Sequence, residues 1–188
     1  MFAILNLLVR NRFLVQLFVS LCLLAGLVIT AQAATFPVTT AADNGDNVNP
    51  TPGSLRAAII DANNTLGSDT ITFSIGSGPQ TITPASALPP ITDPLIIDGT
   101  TQPGFAGAPI IEISGVNAGQ SVNGLNIAAG NCIIRGLVIN RFATGAGIVV
   151  GGSGGSTIAG SAAANPGSAS ANPGAARSKA RRRITSPP

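Results

Sequence analysis

The chain has 188 residues, a net charge of +3 and no His, Tyr or Trp. Without His, neither Ser-His-Asp nor Cys-His nucleophile systems, nor histidine-based metal sites, can be built. The positive charge lies at the two ends: residues 1–33 contribute +2 and residues 161–188 contribute +5, whereas residues 34–160 hold three Arg and all seven acids, a net −4.

Residues 1–33 have the organisation of a secretory signal peptide. Arg10 and Arg12 precede an uncharged run, Phe13–Thr30. Ala31 and Ala33 then place small side chains where signal peptidase recognises them, so we predict cleavage after Ala33 and a secreted or cell-surface protein. An uncleaved membrane anchor is the alternative, because the length of the uncharged run is near the lower limit for spanning a bilayer. Contact with a membrane is expected only in that case.

Cleavage would leave Cys132 as the single cysteine. One thiol cannot form an internal disulfide or a cysteine-based metal site. Its apolar neighbours Ile133 and Ile134 indicate a small buried side chain, with a functional thiol as the alternative.

Residues 34–68 are predicted to form an N-terminal cap region that begins with a polar, turn-rich segment. Asp43 and Asp46 in Asp-Asn-Gly-Asp-Asn are candidate calcium ligands, since calcium takes oxygen donors. Their spacing does not match an EF-hand, and an Asx-rich turn is the competing interpretation. Calcium is the one cofactor that the sequence suggests.

A short amphipathic helix is predicted over residues 54–63. Leu55, Ala58, Ile59 and Ala62 follow the i, i+3, i+4, i+7 spacing that places them on one helical face. Ser54 can cap its first turn.

From residue 69 to residue 160, short β-branched runs alternate with Gly, Pro, Asn and Ser, which is the pattern of short strands. The runs are Thr70–Ile75, Gln80–Thr83, Leu95–Ile97, Ile110–Ile113, Leu125–Ile127, Ile133–Ile134, Leu137–Ile139, Ile148–Val150 and Thr157–Ile158. No run is long enough for a second helix, which argues against a βαβ sheet.

Two all-β architectures remain: an antiparallel sandwich and a parallel β-helix. Gly124-Leu125-Asn126-Ile127 recurs as Gly136-Leu137-Val138-Ile139, and again as Gly147-Ile148-Val149-Val150. The first and third copies are separated by a period of about 23 residues, which is typical of solenoids. We therefore predict an all-β, right-handed parallel β-helix, incomplete at its C-terminal end, with coils over residues 69–160. Because open solenoid ends need covering, the helix at 54–63 is predicted to be a cap.

The stretch Gly53-Ser54-Leu55-Arg56-Ala57-Ala58-Ile59 resembles a motif of bacterial secreted and surface proteins, Cys-Ser-Leu-Arg-Glu-Ala-Ile, which precedes a right-handed parallel β-helix of the pectate-lyase-like kind. Gly53 and Ala57 replace the Cys and Glu of that motif. Two further segments, Ile97–Gly104 and Arg135–Phe142, also resemble sequences of these proteins. The resemblance covers roughly residues 36–160 and implies the β-helical fold, with Ser54, Leu55, Arg56, Ala58 and Ile59 as a capping motif.

Residues 161–188 change abruptly to Ala, Gly, Pro and a basic cluster. We predict a disordered tail that is the product of a shifted reading frame or a truncation, with a genuine disordered tail as the alternative. Since the protein is expected to be exported, nucleic acid is not an expected partner of the basic cluster.

Some β-helices act on polysaccharides through carboxylates. Asp98 and Glu112 are the catalytic candidates here. Asp98 precedes Gly99, where Asp commonly bonds its own backbone, and Glu112 alternates with two Ile, which predicts a solvent-facing side chain. A non-catalytic structural or adhesive role, with glycans or other surface proteins as partners, is favoured. A carbohydrate-active enzyme and a membrane-anchored surface protein are the alternatives.

Overall fold

The computed structural model describes residues 32–160, together with the backbone of residues 162–163 and 170–171. The segment before Gln32, including Ala31 of the predicted cleavage site, lies outside the described residues. Most of the predicted tail, residues 161–188, does so too.

The described chain is mostly β. It contains one α-helix, α1 (Leu55–Asn63), and two short 3₁₀ turns at Gly99–Thr101 and Gly115–Asn117. The strands are β1 (Thr35–Val38), β2 (Asp69–Phe73), β3 (Gln80–Ile82), β4 (Leu95–Asp98), β5 (Ile111–Ser114), β6 (Leu125–Ile127), β7 (Ile133–Arg135), β8 (Leu137–Asn140), β9 (Ile148–Val150), β10 (Thr157–Ala159), β11 (Ala162–Ala163) and β12 (Ser170–Ala171).

The strands form three sheets, and within each sheet the neighbouring strands pair in parallel. The first sheet has the order β1-β2-β4-β7-β10, the second β11-β8-β5-β3 and the third β12-β9-β6. An isolated parallel bridge between Ile91 and Ile127 adds to the third sheet. A mostly-β chain with parallel sheets excludes the antiparallel sandwich.

The nine predicted strands are all present: β6 and β9 have the predicted ends, and the ends of the others shift by at most two residues. The period predicted from the sequence joins strands that are paired: Leu125 of β6 lies beside Ile148 of β9. The copy at Leu137 belongs instead to β8 in the second sheet. Pairing continues beyond Gly160, since β11 pairs with β8 and β12 with β9.

Strand β1 lies in a segment that the sequence analysis assigned to turns. Phe36 and Val38 alternate with exposed Thr35 and Pro37, and the strand pairs with β2. Proline has no N–H for a ladder, and an edge strand tolerates this. β1 stands at the edge of the first sheet, which explains why a Pro-containing segment is a strand.

The core consists of inward aliphatic side chains stacked from strand to strand. Ile71, Ile97 and Ile134 occupy matching positions in β2, β4 and β7, and all three are fully buried. The outward residues beside them are half-buried or exposed, except Asp98 at the end of β4, in keeping with the two-residue side-chain period of a strand.

The predicted helix is confirmed as α1. Ser54 is its N-cap and accepts a hydrogen bond from the Ala57 backbone N–H at 3.1 Å. Leu55, Ala58, Ile59 and Ala62 are all buried in the core, where the helix packs on β1 and β2. A helix this short is marginal in isolation, so this packing is what holds it in place.

Candidate functional site

Arg56 is completely buried and is the centre of a polar cluster near the start of α1. Its Nε and Nη2 donate to the two carboxylate oxygens of Asp43 at 2.7 and 2.9 Å, an ion pair with bidentate geometry. Nη1 donates to Asn47 Oδ1 and the Ala87 carbonyl, and Nη2 also reaches the Ser86 carbonyl at 3.1 Å. Arg56 thereby ties three segments together: the 43–47 turn, α1 and the 86–87 loop.

Both oxygens of Asp43 are occupied. Besides Arg56, the backbone N–H groups of Gly45 and Ala85 donate to Oδ2. Burial on its own would raise the pKa of Asp43, but the hydrogen bonds from Arg56, Ala85 and Gly45 and the charge of Arg56 outweigh it and lower the pKa below 3.8. Asp43 is therefore a structural anion held by an arginine.

The 43–48 segment is a series of Asx turns. Asp43 accepts from Gly45, Asn44 from Asp46, and Asp46 Oδ1 accepts from the Val48 backbone N–H at 2.7 Å. Hydrogen bonds to the backbone of Val48 and Asn49 lower the pKa of Asp46. Within residues 32–160, no group of three or more His, Cys, Asp or Glu is placed to hold a metal ion. The calcium prediction for Asp43 and Asp46 stays a prediction.

Asp98 sits at the end of β4 and is buried. Its Oδ1 accepts from the backbone N–H and the hydroxyl of Thr100, which confirms the expected bond to its own turn. Its Oδ2 accepts from Arg135 Nη2, which lies opposite it on β7. Burial opposes ionisation of Asp98, but the bonds to Arg135 and Thr100 prevail and lower its pKa.

Glu112 lies on the outer face of β5, as its alternation with Ile111 and Ile113 predicts, but its side chain is only 23% exposed. The predicted outward orientation is present, and the side chain is partly covered because neighbouring strands supply hydrogen-bond partners. Asn140 donates to Oε1 at 2.7 Å, Arg141 Nη2 donates to Oε1 at 2.9 Å, and Thr81 donates to Oε2 at 2.9 Å. The Asn140 bond is the main cause of a lowered pKa for Glu112.

Asp98 and Glu112 do not form a pair. They lie in different sheets, and each carboxylate is bound by its own arginine, Arg135 and Arg141. A general acid needs a raised pKa, whereas both of these pKa values are lowered. The two residues act here as links between neighbouring strands.

Cys132 is fully buried, in agreement with the prediction of a small apolar side chain. Its backbone N–H donates to the Ser156 hydroxyl, and its Sγ lies 3.8 Å from the Asp93 carbonyl. Burial raises the pKa of the thiol, which disfavours the reactive thiolate.

Asp69, the first residue of β2, is not among the predicted functional residues. Its side chain is buried, and Oδ1 accepts from the Ala34 backbone N–H at 2.7 Å. Its other oxygen, Oδ2, has no hydrogen-bond partner within the described part of the chain. The signal that could have revealed it is an acid at an inward strand position, two residues before the core residue Ile71.

Comparison with known proteins gave no match to a family model, a curated protein or a solved structure. Among the helices of residues 32–160, none is long and apolar enough to cross a membrane.

Proposed function

We propose that the chain is an exported right-handed parallel β-helix whose role is structural or adhesive rather than catalytic. The observation that carries this proposal is the order in which the chain visits its three sheets. β4, β5 and β6 belong to the first, second and third sheets, β7, β8 and β9 repeat the same order, and β10, β11 and β12 repeat it again. Three short parallel strands per turn, repeated along the chain, are what a β-helix requires.

The same order supports a capping role for α1. β2, β3 and the bridge at Ile91 make an earlier turn of the same kind, and β1 precedes it in the first sheet. Between β1 and β2 the chain forms α1, not further strands. We infer that α1 covers the end of the core where the next two strands of a turn would lie, which protects otherwise open strand edges.

The carboxylates favour a non-catalytic role. Asp43, Asp98 and Glu112 are each bound to an arginine, and each has a lowered pKa. A glycosidase-like mechanism needs one carboxylic acid that keeps its proton and a second carboxylate close to it. The sequence contains no His to replace the acid.

The outer face of the first sheet is our candidate adhesive surface. The register places Thr35, Thr70, Ile96, Ile133 and Thr157 side by side across five strands. These residues are half-buried or exposed and carry no charge. A flat row of methyl and hydroxyl groups suits the surface of a glycan or of a neighbouring protein, which are the partners that we propose.

The test is binding of the exported protein to a glycan panel and to cells of the producing organism, with product release measured in the same samples. We expect retention without reducing sugar or unsaturated product. Ile96→Arg should abolish retention, whereas Asn126→Arg, an exposed outward position of the third sheet, should leave it intact. Retention that survives Ile96→Arg in a folded variant contradicts this surface.

The carbohydrate-active alternative makes a different prediction for the carboxylates. If product appears and is lost in both Asp98→Asn and Glu112→Gln, while the variants stay folded, the enzyme is the correct assignment. The membrane-anchored alternative is decided by N-terminal sequencing of the exported form, since an anchor retains the residues before Ala34.

A further inference from the structure

Within the described part of the chain, Asp69 is a buried carboxylate whose side chain has one hydrogen-bond donor, and that donor is neutral. The residue is 1% exposed, and the Ala34 backbone N–H is its side-chain partner at 2.7 Å on Oδ1. Oδ2 is buried and has no hydrogen-bond partner in residues 32–160. Removing a carboxylate from water is costly unless it is paired with a charge and fully hydrogen-bonded. The fold as described therefore leaves this group incompletely compensated.

The position of the Ala34 nitrogen is fixed by the first sheet. The Thr70 backbone N–H donates to the Ala34 carbonyl at 2.9 Å, and Thr35 lies opposite Thr70 in the parallel ladder. Gln32 and Ala33, the two described residues before Ala34, are both exposed, so their loss would uncover no core side chain. The ladder with Thr70 would still hold the Ala34 nitrogen in place.

That nitrogen is also the atom that the predicted leader cleavage would change. Hydrolysis of the Ala33–Ala34 peptide bond adds one water molecule: Ala33 keeps the new carboxylate and leaves with the leader, and Ala34 keeps the new amine. An α-amine has an ordinary pKa near 8 and is mostly protonated at neutral pH. A neutral N–H with one hydrogen would thus become an ammonium with three, beside Asp69.

We propose that cleavage after Ala33 completes the fold by placing the new α-ammonium of Ala34 in a buried ion pair with Asp69. The ammonium supplies a positively charged partner for the Asp69 carboxylate, and its additional hydrogens can reach Oδ2 as well as Oδ1. The first sheet is then more stable in the processed protein than in the precursor, so that export and folding are coupled. This inference rests on the proposed function, specifically on leader removal after Ala33.

The experiment compares two exported proteins that differ by one residue. The first is the natural product that begins at Ala34. The second is secreted from a leader that cuts one bond earlier, so that it begins at Ala33 and retains a neutral amide at Ala34. Each is made with Asp69 and with Asp69→Asn, and N-terminal sequencing establishes the first residue of each before thermal unfolding is measured.

With Asp69 present, we expect the protein that begins at Ala33 to unfold about 6–20 °C lower than the protein that begins at Ala34, as loss of a buried charge pair in a chain of this size predicts. With Asp69→Asn, the difference between the two starts should nearly vanish, because the coupling between the two groups is lost. Equal melting temperatures with Asp69 present overturn the inference while leaving the export proposal standing.

Two further outcomes are decisive. If the natural exported protein does not begin at Ala34, the leader prediction fails and this inference fails with it. If Asp69→Asn does not fold, the two proteins that keep Asp69 still decide the question. A lower melting temperature for the protein that begins at Ala33 supports the ion pair, and a melting temperature equal to that of the protein that begins at Ala34 overturns it.

Discussion

Arg56 heads the fully buried side chains by volume, ahead of Phe73 and the core isoleucines. A buried arginine is expensive unless its hydrogen bonds are satisfied. Here Asp43 accepts two of the hydrogen bonds from Arg56. Asn47 and the backbone carbonyls of Ser86 and Ala87 accept the other three, and these bonds hold distant loops to the helix. The Arg of the Ser-Leu-Arg stretch therefore holds the 43–47 turn and the 86–87 loop against α1.

Replacement of Arg56 by Ala should leave Asp43 buried without its partner. We expect a loss of about 3–5 kcal/mol in the free energy of unfolding, measured by urea denaturation. Arg141→Ala is the matched control: that ion pair is on the surface, with the arginine side chain 55% exposed, and should cost at most about 1 kcal/mol. Comparable losses in the two variants would contradict the central role of Arg56.

Acid should destabilise the protein through Asp43, Asp98 and Glu112. Their pKa values are lowered in the folded state, so the unfolded state binds protons first as the pH falls. Their contribution to stability is complete above the ordinary values of 3.8 for Asp and 4.5 for Glu, and is lost as the pH falls through the lowered folded values.

Asp43→Asn should therefore be less stable at neutral pH and should lose less further stability below pH 3.8 than the parent. Asp61→Asn, at an exposed position on α1, is the control for removing a surface carboxylate. The measurement is the urea midpoint as a function of pH. An unchanged acid slope in Asp43→Asn would show that the ion pair with Arg56 does not contribute to it.

Glycines set how closely consecutive strands and turns approach one another. A Cβ on Gly99 would collide with the Gly136 carbonyl and with Leu137, and a Cβ on Gly124 would collide with the Gly147 carbonyl. Gly136 is itself in the left-handed region, with φ of 68°, beside the Thr100 backbone. The absence of a side chain is needed at these positions because backbone atoms, which cannot rotate away, are among the clashing atoms at each of them.

Gly99→Ala should lower the free energy of unfolding by about 1–3 kcal/mol, the usual cost of overpacking. Gly151→Ala is the matched control, because its φ is not in the left-handed region and its Cβ would be 3.9 Å from the Ile127 carbonyl, an ordinary contact. Thermal unfolding of both variants gives the comparison. Equal melting temperatures would mean that the turn at Gly99 shifts without cost.

The positions of the strands were predictable because their signal is local. Ile111 and Ile113 flank Glu112, and this alternation alone places the first two in the core and the third outside. The partners of the acids were not predictable, because they depend on register: Arg135 is 37 residues from Asp98, and Arg141 is 29 from Glu112. Strand β1 was not predicted because Pro37 lies within it and Asx turns follow it. Both features indicate a loop and obscure the alternation of Phe36 and Val38 with exposed residues.

At the scale of the whole molecule, the inward rows are continuous across the strands. Ile71, Ile97, Ile134 and Ile158 form one such row in the first sheet. The first three are fully buried, whereas Ile158 of β10 is 39% exposed. Each coil in a solenoid buries its core residues against its neighbours, so one residue type at equivalent positions should contribute unequally to stability.

Ile134→Ala should cost about 2–5 kcal/mol, because it leaves a cavity between two covered layers. Ile158→Ala should cost clearly less, because part of the deleted surface is already in contact with solvent and little cavity can form. Both substitutions remove the same atoms from the same row, so backbone propensity and side-chain entropy cancel in the comparison made by urea denaturation. Equal losses would mean that Ile158 is covered in solution, and a test for self-association at increasing protein concentration would then ask whether a second copy covers it. Unequal losses would support a core whose stability is built up coil by coil, in which the coil at β10 contributes less than the one beneath it.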